Sequence, residues 1–190
     1  LLGNGSRMWF NRAQIDRRVL AWFALGAVPL ALAGGLLFAI TPPSALSRLL
    51  GAFLLGTVVW RHLRPGPPRR LPAARSFALI GAGFSFLSAL IGSVGPLMAP
   101  FFLAYGLVKG AYIGTEAAAT VIMHVVKLVA YSGTAVLSGQ AAVIGLALGP
   151  LMIAGSFIGK QIVDRLPERV FVLLIEGVLA FAGLVFLMGG

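Results

Sequence analysis

A stripe of polar side chains lies inside a stretch of sequence that is apolar enough to cross a lipid bilayer. The stretch extends from Ala111 to Gly139. Its polar members are Glu116, Thr120, His124, Lys127, Tyr131 and Thr134. At ~100° per residue they fall within an arc of about 80° on one side of a helix. Because an ionisable group in hydrocarbon is costly, such a stripe is expected to face the interior of a helical bundle or a wet cavity.

The rest of the composition indicates a polytopic membrane protein. Hydrophobic residues make up 59% of the chain and charged residues only 11%. Three runs carry no charge at all, namely 19–47, 76–108 and 128–159. Each run exceeds the ~20 residues that span a bilayer core. We therefore predict an all-α membrane protein with the lipid bilayer as a partner.

Glycine and proline positions divide the chain into about seven membrane segments. The predicted helices are 19–40, 46–60, 77–91, 97–108, 111–139, 141–159 and 170–188. The third and fourth form a broken pair joined by the turn Gly92–Pro96, and the fourth is short enough to be a half-helix or a re-entrant element. Broken backbone at membrane depth is tolerated only where it faces protein or water. The pair therefore points to a functional cavity.

The basic residues lie in three groups, at 7–18, 61–75 and 160–169. The net charge is +10, but each group is interpreted as a loop beside an apolar run, and aromatic residues do not alternate with the arginines. This is the positive-inside pattern of cytoplasmic loops rather than a nucleic-acid surface. We expect a multi-pass protein of the inner membrane, with these loops in the cytoplasm, the C-terminus outside and no nucleic-acid partner. A homo-oligomer is left open.

Two predicted helices of opposite direction share a sequence pattern. Residues 29–34 (PLALAG) match residues 150–155 (PLMIAG) at Pro, Leu, Ala and Gly. At almost the same distance upstream, a polar residue precedes a cation by three positions, in 4–7 (NGSR) and in 124–127 (HVVK). Similar sequence with reversed charge flanks is typical of an inverted-topology repeat.

The repeat predicts the domain organisation. Residues 1–64 form the C-terminal part of a first repeat, 65–75 a basic, proline-rich cytoplasmic linker, and 76–190 the second repeat. The opening helices of the first repeat have no counterpart in this sequence. We therefore expect an N-terminally truncated chain.

Between Gly81 and Tyr131, glycine, proline and threonine motifs follow one another in a defined order. A turn containing Gly92, Gly95, Pro96 and Pro100 precedes a short apolar segment, and Gly114-Thr115 opens the striped helix. This order resembles the second-half signature of the sulfite exporter TauE/SafE family of membrane permeases. The resemblance extends through 149–159 and the turn 166–168, so it covers most of the chain.

The resemblance implies a permease with two homologous halves that moves small sulfur-containing anions such as sulfite or sulfonates. Two departures bear on the transported species more than on the fold. The turn reads G-S-V-G-P, so Ser93 and Val94 interrupt the glycine triplet of the family. Glu116 also stands where a small hydroxyl residue is usual after the G-T motif.

These patterns give a set of candidate substrate-binding residues. They are Lys127, His124, Glu116, Thr120, Tyr131, Ser93, Gly95, Arg7 and Asn4. Each has two interpretations. Lys127 is either the counter-charge of an anion or a structural partner of Glu176, and His124 either a packing residue or a proton carrier. Glu116 either accepts coupling protons or caps and pairs near the helix start.

Arg7 is either the pseudo-symmetric partner of Lys127 or a loop cation. The backbone N–H groups after the Gly92–Pro96 turn either contact an anion or belong to a tight helical hairpin.

Other function classes fit the sequence less well. The chain contains no cysteine, no serine with a base at helical spacing and no carboxylate pair on one helical face. It therefore indicates no enzyme, no cofactor and no metal centre. Two alternatives to a permease stay open: an anion channel, which needs a continuous polar lining, and a membrane scaffold or assembly protein, in which Glu116 and Lys127 would join helices.

Overall fold

The computed structural model describes residues 1–41, 73–91, 95–132, 139–175 and 177–178. Within these ranges the chain forms helices and short turns and no strand. The helices are α1 (Leu2–Phe10), α2 (Arg17–Ile40), α3 (Phe77–Ile91), α4 (Gly95–Tyr105), α5 (Lys109–Tyr131), α6 (Gly139–Ala147), α7 (Gly149–Arg165) and α8 (168–175). The predicted all-α architecture is confirmed for the part of the chain that the structure describes. The predicted helix 46–60 and residues 65–72 of the predicted linker 65–75 lie outside it.

Three helical stretches are long and apolar enough to cross a membrane. They are Arg17–Phe38, Lys109–Tyr131 and Ala142–Arg165. A fourth stretch, Ala74–Leu90, is apolar but shorter. The membrane class that the hydropathy pattern predicts therefore agrees with the helices observed.

Several predicted boundaries shift for local reasons. α2 begins at Arg17 rather than at residue 19, because the Asp16 side chain accepts hydrogen bonds from the backbone N–H groups of Arg18 and Val19. α4 ends at Tyr105 because Gly106 follows in the left-handed region, with φ of +100°. α3 has the predicted bounds.

The predicted helix 141–159 falls almost entirely in the helical stretch Ala142–Arg165, which is interrupted at the single residue Leu148. α6 ends at Ala147 and α7 begins at Gly149, with Pro150 in the first turn of α7. Proline has no backbone N–H and its ring clashes with the preceding turn, so it starts a new helix more easily than it continues one.

The N-terminal segment differs from the prediction of a basic loop over 7–18. It forms α1, which packs on α5 and α7. Towards α7, Ser6 Oγ donates to Ser156 Oγ over 2.9 Å, and the rings of Phe10 and Phe157 lie 5.6 Å apart. Hydropathy misses α1 because the helix has only nine residues and a cation near its end.

Glycines allow α2 and α3 to pack with their backbones in contact. A Cβ atom at Gly26 would overlap the Ala78 carbonyl oxygen, and one at Gly81 would overlap that of Phe23. Such approach of two membrane helices requires small residues at the crossing. Further along α2, Gly35 faces Ala130 of α5. α2 therefore contacts both α3 and α5.

An aromatic core fixes the direction of the central helices. The ring of Phe102, near the end of α4, lies 5.0 Å from that of Phe77 and 6.4 Å from that of Tyr112. Phe77 opens α3, and Tyr112 lies in the first turn of α5. α3 and α5 therefore begin at the same end of the bundle and run in the same direction, whereas α4 runs the opposite way.

The start of α5 lies close to the segment before α2 and to the end of α7. Lys109 Nζ donates to the carbonyl oxygen of Asp164 over 3.2 Å, and Gly110 packs against the side chain of Gln14. Two of the three basic groups of the sequence thus contribute to the same end of the bundle. The cytoplasmic orientation of 7–18 and 160–169 stays a prediction.

Candidate functional site

Glu116 is a buried carboxylate in the middle of the bundle. Its side chain is 8% exposed, and Oε1 accepts a 2.9 Å hydrogen bond from Thr120 Oγ1 one turn later. Because α5 begins at Lys109, Glu116 lies about two turns into the helix and does not cap it. The structure thus shows the pairing role considered for this residue and not the capping role.

Arg7 is the charged partner of this carboxylate. Its Nη1 lies 3.7 Å from Glu116 Oε2, and its Nη2 donates to Asn4 Oδ1. The carbonyl oxygen of Arg7 accepts a 2.8 Å hydrogen bond from Asn11 Nδ2. Arg7 is therefore part of a helix packed into the bundle and not a loop cation.

The first residue of α4, Gly95, lies close to the carboxylate of Glu116. A Cβ atom on Gly95 would lie 3.3 Å from Glu116 Oε1. The first N–H groups of a helix lack partners within the helix, so this end favours negative charge. Five predicted residues therefore meet in one cluster, here called the Glu116 cluster. Its members are Asn4, Arg7, Gly95, Glu116 and Thr120.

Lys127 lies further along the same face of α5, against the end of α3. Its Nζ donates to Ser88 Oγ over 2.9 Å and to the carbonyl oxygen of Ser88 over 3.2 Å. Tyr131 OH donates to the carbonyl oxygen of Ala89 over 2.8 Å. Both carbonyls belong to the last described turn of α3, which extends to Ile91. We call Ser88, Ala89, Lys127 and Tyr131 the Lys127 cluster.

The Lys127 cluster has a structural and an electrostatic consequence. The ammonium and phenol groups donate hydrogen bonds to the last turn of α3 and so join α3 to α5, and a cation there complements the helix dipole. The same contacts hold a positive charge on the buried side of α5, where Lys127 is 7% exposed.

His124 lies between the two clusters on α5. Its Nδ1 is buried and has no hydrogen-bond partner among the described residues. On α3, the hydroxyl group of Ser85 also has no hydrogen-bond partner among the described residues, and this residue is 0% exposed.

The remaining predictions for the site fall on residues that the structure does not describe. They are Ser93 in the segment 92–94, Thr134 in the segment 133–138, and Glu176. The suggested pairing of Lys127 with Glu176 therefore stays a prediction.

Sequence reasoning missed the serines of α3. Ser85 and Ser88 are fully or almost fully buried and face the polar stripe, yet serine in an apolar helix is usually read as a small packing residue. Their spacing of three residues on one helical face was the available signal.

An open cavity of about 530 Å³ lies at the end of the bundle where α5 begins. Its lining includes Gln14, Lys109, Gly110, Asp164 and Glu168. Two carboxylates face one ammonium there, so the charge does not favour an anion. In the described part of the chain, no group of three or more His, Cys, Asp or Glu side chains is arranged to hold a metal ion.

Comparison with known protein families agrees with this architecture. A family model described as Sulfite exporter TauE/SafE matches residues 1–186. The chain belongs to this family. The match covers α1 to α8 and includes both clusters. TauE/SafE proteins are membrane transporters, so this chain is a membrane transport protein and not an enzyme at the level of its family. No curated protein and no solved structure matches the chain.

Proposed function

We propose that the protein is a secondary permease for small sulfur-containing anions such as sulfite or sulfonates. The observation that carries the proposal is the buried polar face of α5, which holds Glu116, Thr120 and Lys127 inside the bundle. Ionisable side chains at membrane depth are costly and usually mark a substrate or ion pathway. Membership in the TauE/SafE family adds the anion class.

The two clusters would provide two positions for an anion along α5. Arg7 supplies the cation of the first and Lys127 that of the second. Glu116, at the level of Arg7, lies eleven residues from Lys127, which is about 16 Å along the helix axis. Both cations have partners on other helices, so a rearrangement of α1 or α3 relative to α5 would change their availability. This favours alternating access over a permanently open channel.

The proposed binding set keeps all the residues that the sequence suggests. Asn4, Arg7, Gly95, Glu116 and Thr120 form one position, and His124, Lys127 and Tyr131 the other. Ser93 belongs to the set by its place in the turn before α4.

An inverted repeat would explain the two cations. The second half of α5 and the helices α6 and α7 would correspond to α1 and α2 in reverse orientation. The order Asn4–Arg7 on α1 matches His124–Lys127 on α5, and α2 leaves the end of the bundle to which α7 returns. We accordingly propose seven crossings, with repeats at 1–64 and 76–190 joined by the linker 65–75, basic loops in the cytoplasm and the C-terminus outside.

A membrane scaffold is the second candidate. It is favoured by one observation: Lys127 and Glu116 both contact side chains of other helices, as residues that only join helices would. In a scaffold no anion would be bound.

Ligand-dependent stability separates the two candidates. The purified chain should be heated with sulfite, thiosulfate, methanesulfonate or chloride, and the midpoint of unfolding measured. A ligand at 100 times its dissociation constant adds about 2.7 kcal/mol to the stability of the folded state. The permease predicts a higher midpoint with at least one sulfur oxyanion. Equal midpoints with all four salts would favour the scaffold.

A further inference from the structure

Two buried polar atoms, one on α3 and one on α5, have no hydrogen-bond partner in the described residues. They are Ser85 Oγ on α3 and His124 Nδ1 on α5. Buried polar atoms in native proteins are nearly always paired, because an unpaired one loses its hydrogen bonds to water without replacement. Each exception requires an explanation, such as a ligand or an ordered water.

The helix register brings these two atoms to the same level. Lys127 and Ser88 are 39 residues apart and in contact. His124 and Ser85 have the same separation, each one turn before a member of that contact. Because α3 and α5 run in the same direction, the two residues lie side by side, about one turn from the ammonium group of Lys127.

We propose that Ser85 and His124, together with the charge of Lys127, bind an oxyanion between α3 and α5. This inference rests on the proposed permease function and specifies one of its sites. Ser85 Oγ donates to one oxygen of the anion and the His124 ring binds a second, while the Lys127 ammonium group supplies the compensating charge. Ser85 is thereby a selectivity residue that the sequence does not reveal.

The arrangement selects a ligand with several oxygens. Because the two hydrogen-bonding atoms belong to different helices, an anion with several oxygens is expected to contact each of them with a separate oxygen. Sulfite and a sulfonate each present three oxygens around one sulfur. Chloride is a single atom and gains little from the second hydrogen-bonding group.

Replacement of Ser85 tests the proposal. Binding of sulfite, methanesulfonate and chloride to the full chain in lipid nanodiscs should be measured by calorimetry. Ser85→Ala is expected to weaken binding of sulfite and methanesulfonate about tenfold and to leave chloride unchanged, since one hydrogen bond to a charged ligand is lost. The midpoint of thermal unfolding without ligand should not fall, because the hydroxyl has no partner to lose. Ser156→Ala, which removes a hydroxyl at the contact of α1 with α7, is the matched control and should bind sulfite as the wild type does.

A pair of changes at His124 provides an independent test if Ser85→Ala does not fold. His124→Asn keeps a hydrogen-bonding atom close to the position of Nδ1, whereas His124→Leu removes it. Sulfite binding is expected to be stronger in His124→Asn than in His124→Leu, with chloride binding equal in the two.

The outcomes separate this site from the function on which it rests. If the wild type binds and transports sulfite but Ser85→Ala and the His124 pair bind it equally well, a water molecule occupies the site and this inference is overturned, while the permease function stands. If the wild type binds sulfite more tightly than Ser85→Ala but does not transport it, the site stands and the permease function fails. If the wild type binds no oxyanion, both are wrong.

Discussion

The guanidinium group of Arg7 lies 3.7 Å from the carboxylate of Glu116 and joins α1 to the middle of α5. Each partner alone would be a charge within the bundle, and together they are neutral. The contact is long for a salt bridge, and Arg7 is 41% exposed while Glu116 is 8% exposed. Under the proposed function, we expect Arg7 to be the partner that exchanges Glu116 for an anion, because it is the more exposed of the two.

Removal of Arg7 should destabilise the protein through Glu116. Arg7→Met leaves the buried carboxylate without its cation, at a cost of about 2 kcal/mol, less than for a fully buried pair because Arg7 is partly in solvent. The double change Arg7→Met with Glu116→Gln should recover most of this loss. A double-mutant cycle on unfolding free energies measures the coupling. Additive losses would mean that the two groups do not interact.

Lys127→Met should fold and insert but lose transport. The change removes the hydrogen bonds that Lys127 Nζ donates to Ser88, which costs about 1 kcal/mol. Removing a buried charge offsets this by about 3 kcal/mol of insertion free energy. Lys127→Arg should retain part of the sulfite flux because it keeps the charge. The measurements are expression level, unfolding midpoint and flux in proteoliposomes. Full flux in a folded Lys127→Met variant would remove Lys127 from the mechanism.

The contact of α2 with α3 predicts a sharp difference between two glycines of α3. Gly81→Ala places a methyl group against the Phe23 carbonyl oxygen and should destabilise the protein by about 1–3 kcal/mol. Gly83→Ala, two residues further, meets no atom within 4 Å and is the matched control. Thermal unfolding in one detergent compares the two. Equal midpoints would show that α2 and α3 pack less closely than described.

Single cysteines test the orientation of the bundle, since the chain contains none of its own. Ser132 and Glu168 are exposed at opposite ends of it. If the basic groups are cytoplasmic, Ser132→Cys should react with an impermeant thiol reagent in intact cells and Glu168→Cys should react only after lysis. The reverse pattern would overturn the proposed orientation.

The sequence predicts correctly those helices that a local pattern of apolar, glycine or polar residues defines. α3 has the predicted bounds because an unbroken apolar run is followed by a glycine turn, and the polar stripe of α5 is buried because its spacing follows the helical period. α1 was missed because nine residues with Arg7 among them do not exceed any hydropathy threshold. Pro150 lies within the predicted helical stretch, and the interruption at Leu148 just before it is the local effect of a proline that the sequence analysis does not predict.

The sequence predicts which residues are candidates for the site, but it does not predict which of them contact each other. Periodicity placed Glu116 and Lys127 on one face, but only tertiary packing shows that the first meets Arg7 and the second meets Ser88. The spacing of Ser85 and Ser88 marks a polar face of α3, but the unpaired hydroxyl of Ser85 depends on the surrounding helices and only the structure shows it.

Uptake of radiolabelled sulfite into proteoliposomes containing the full chain tests the central claim most directly. We expect uptake that saturates with sulfite concentration, is inhibited by methanesulfonate and not by chloride, and falls to the level of protein-free liposomes in Lys127→Met. Wild-type uptake equal to that of protein-free liposomes, under conditions where the protein is folded and inserted, would contradict the account.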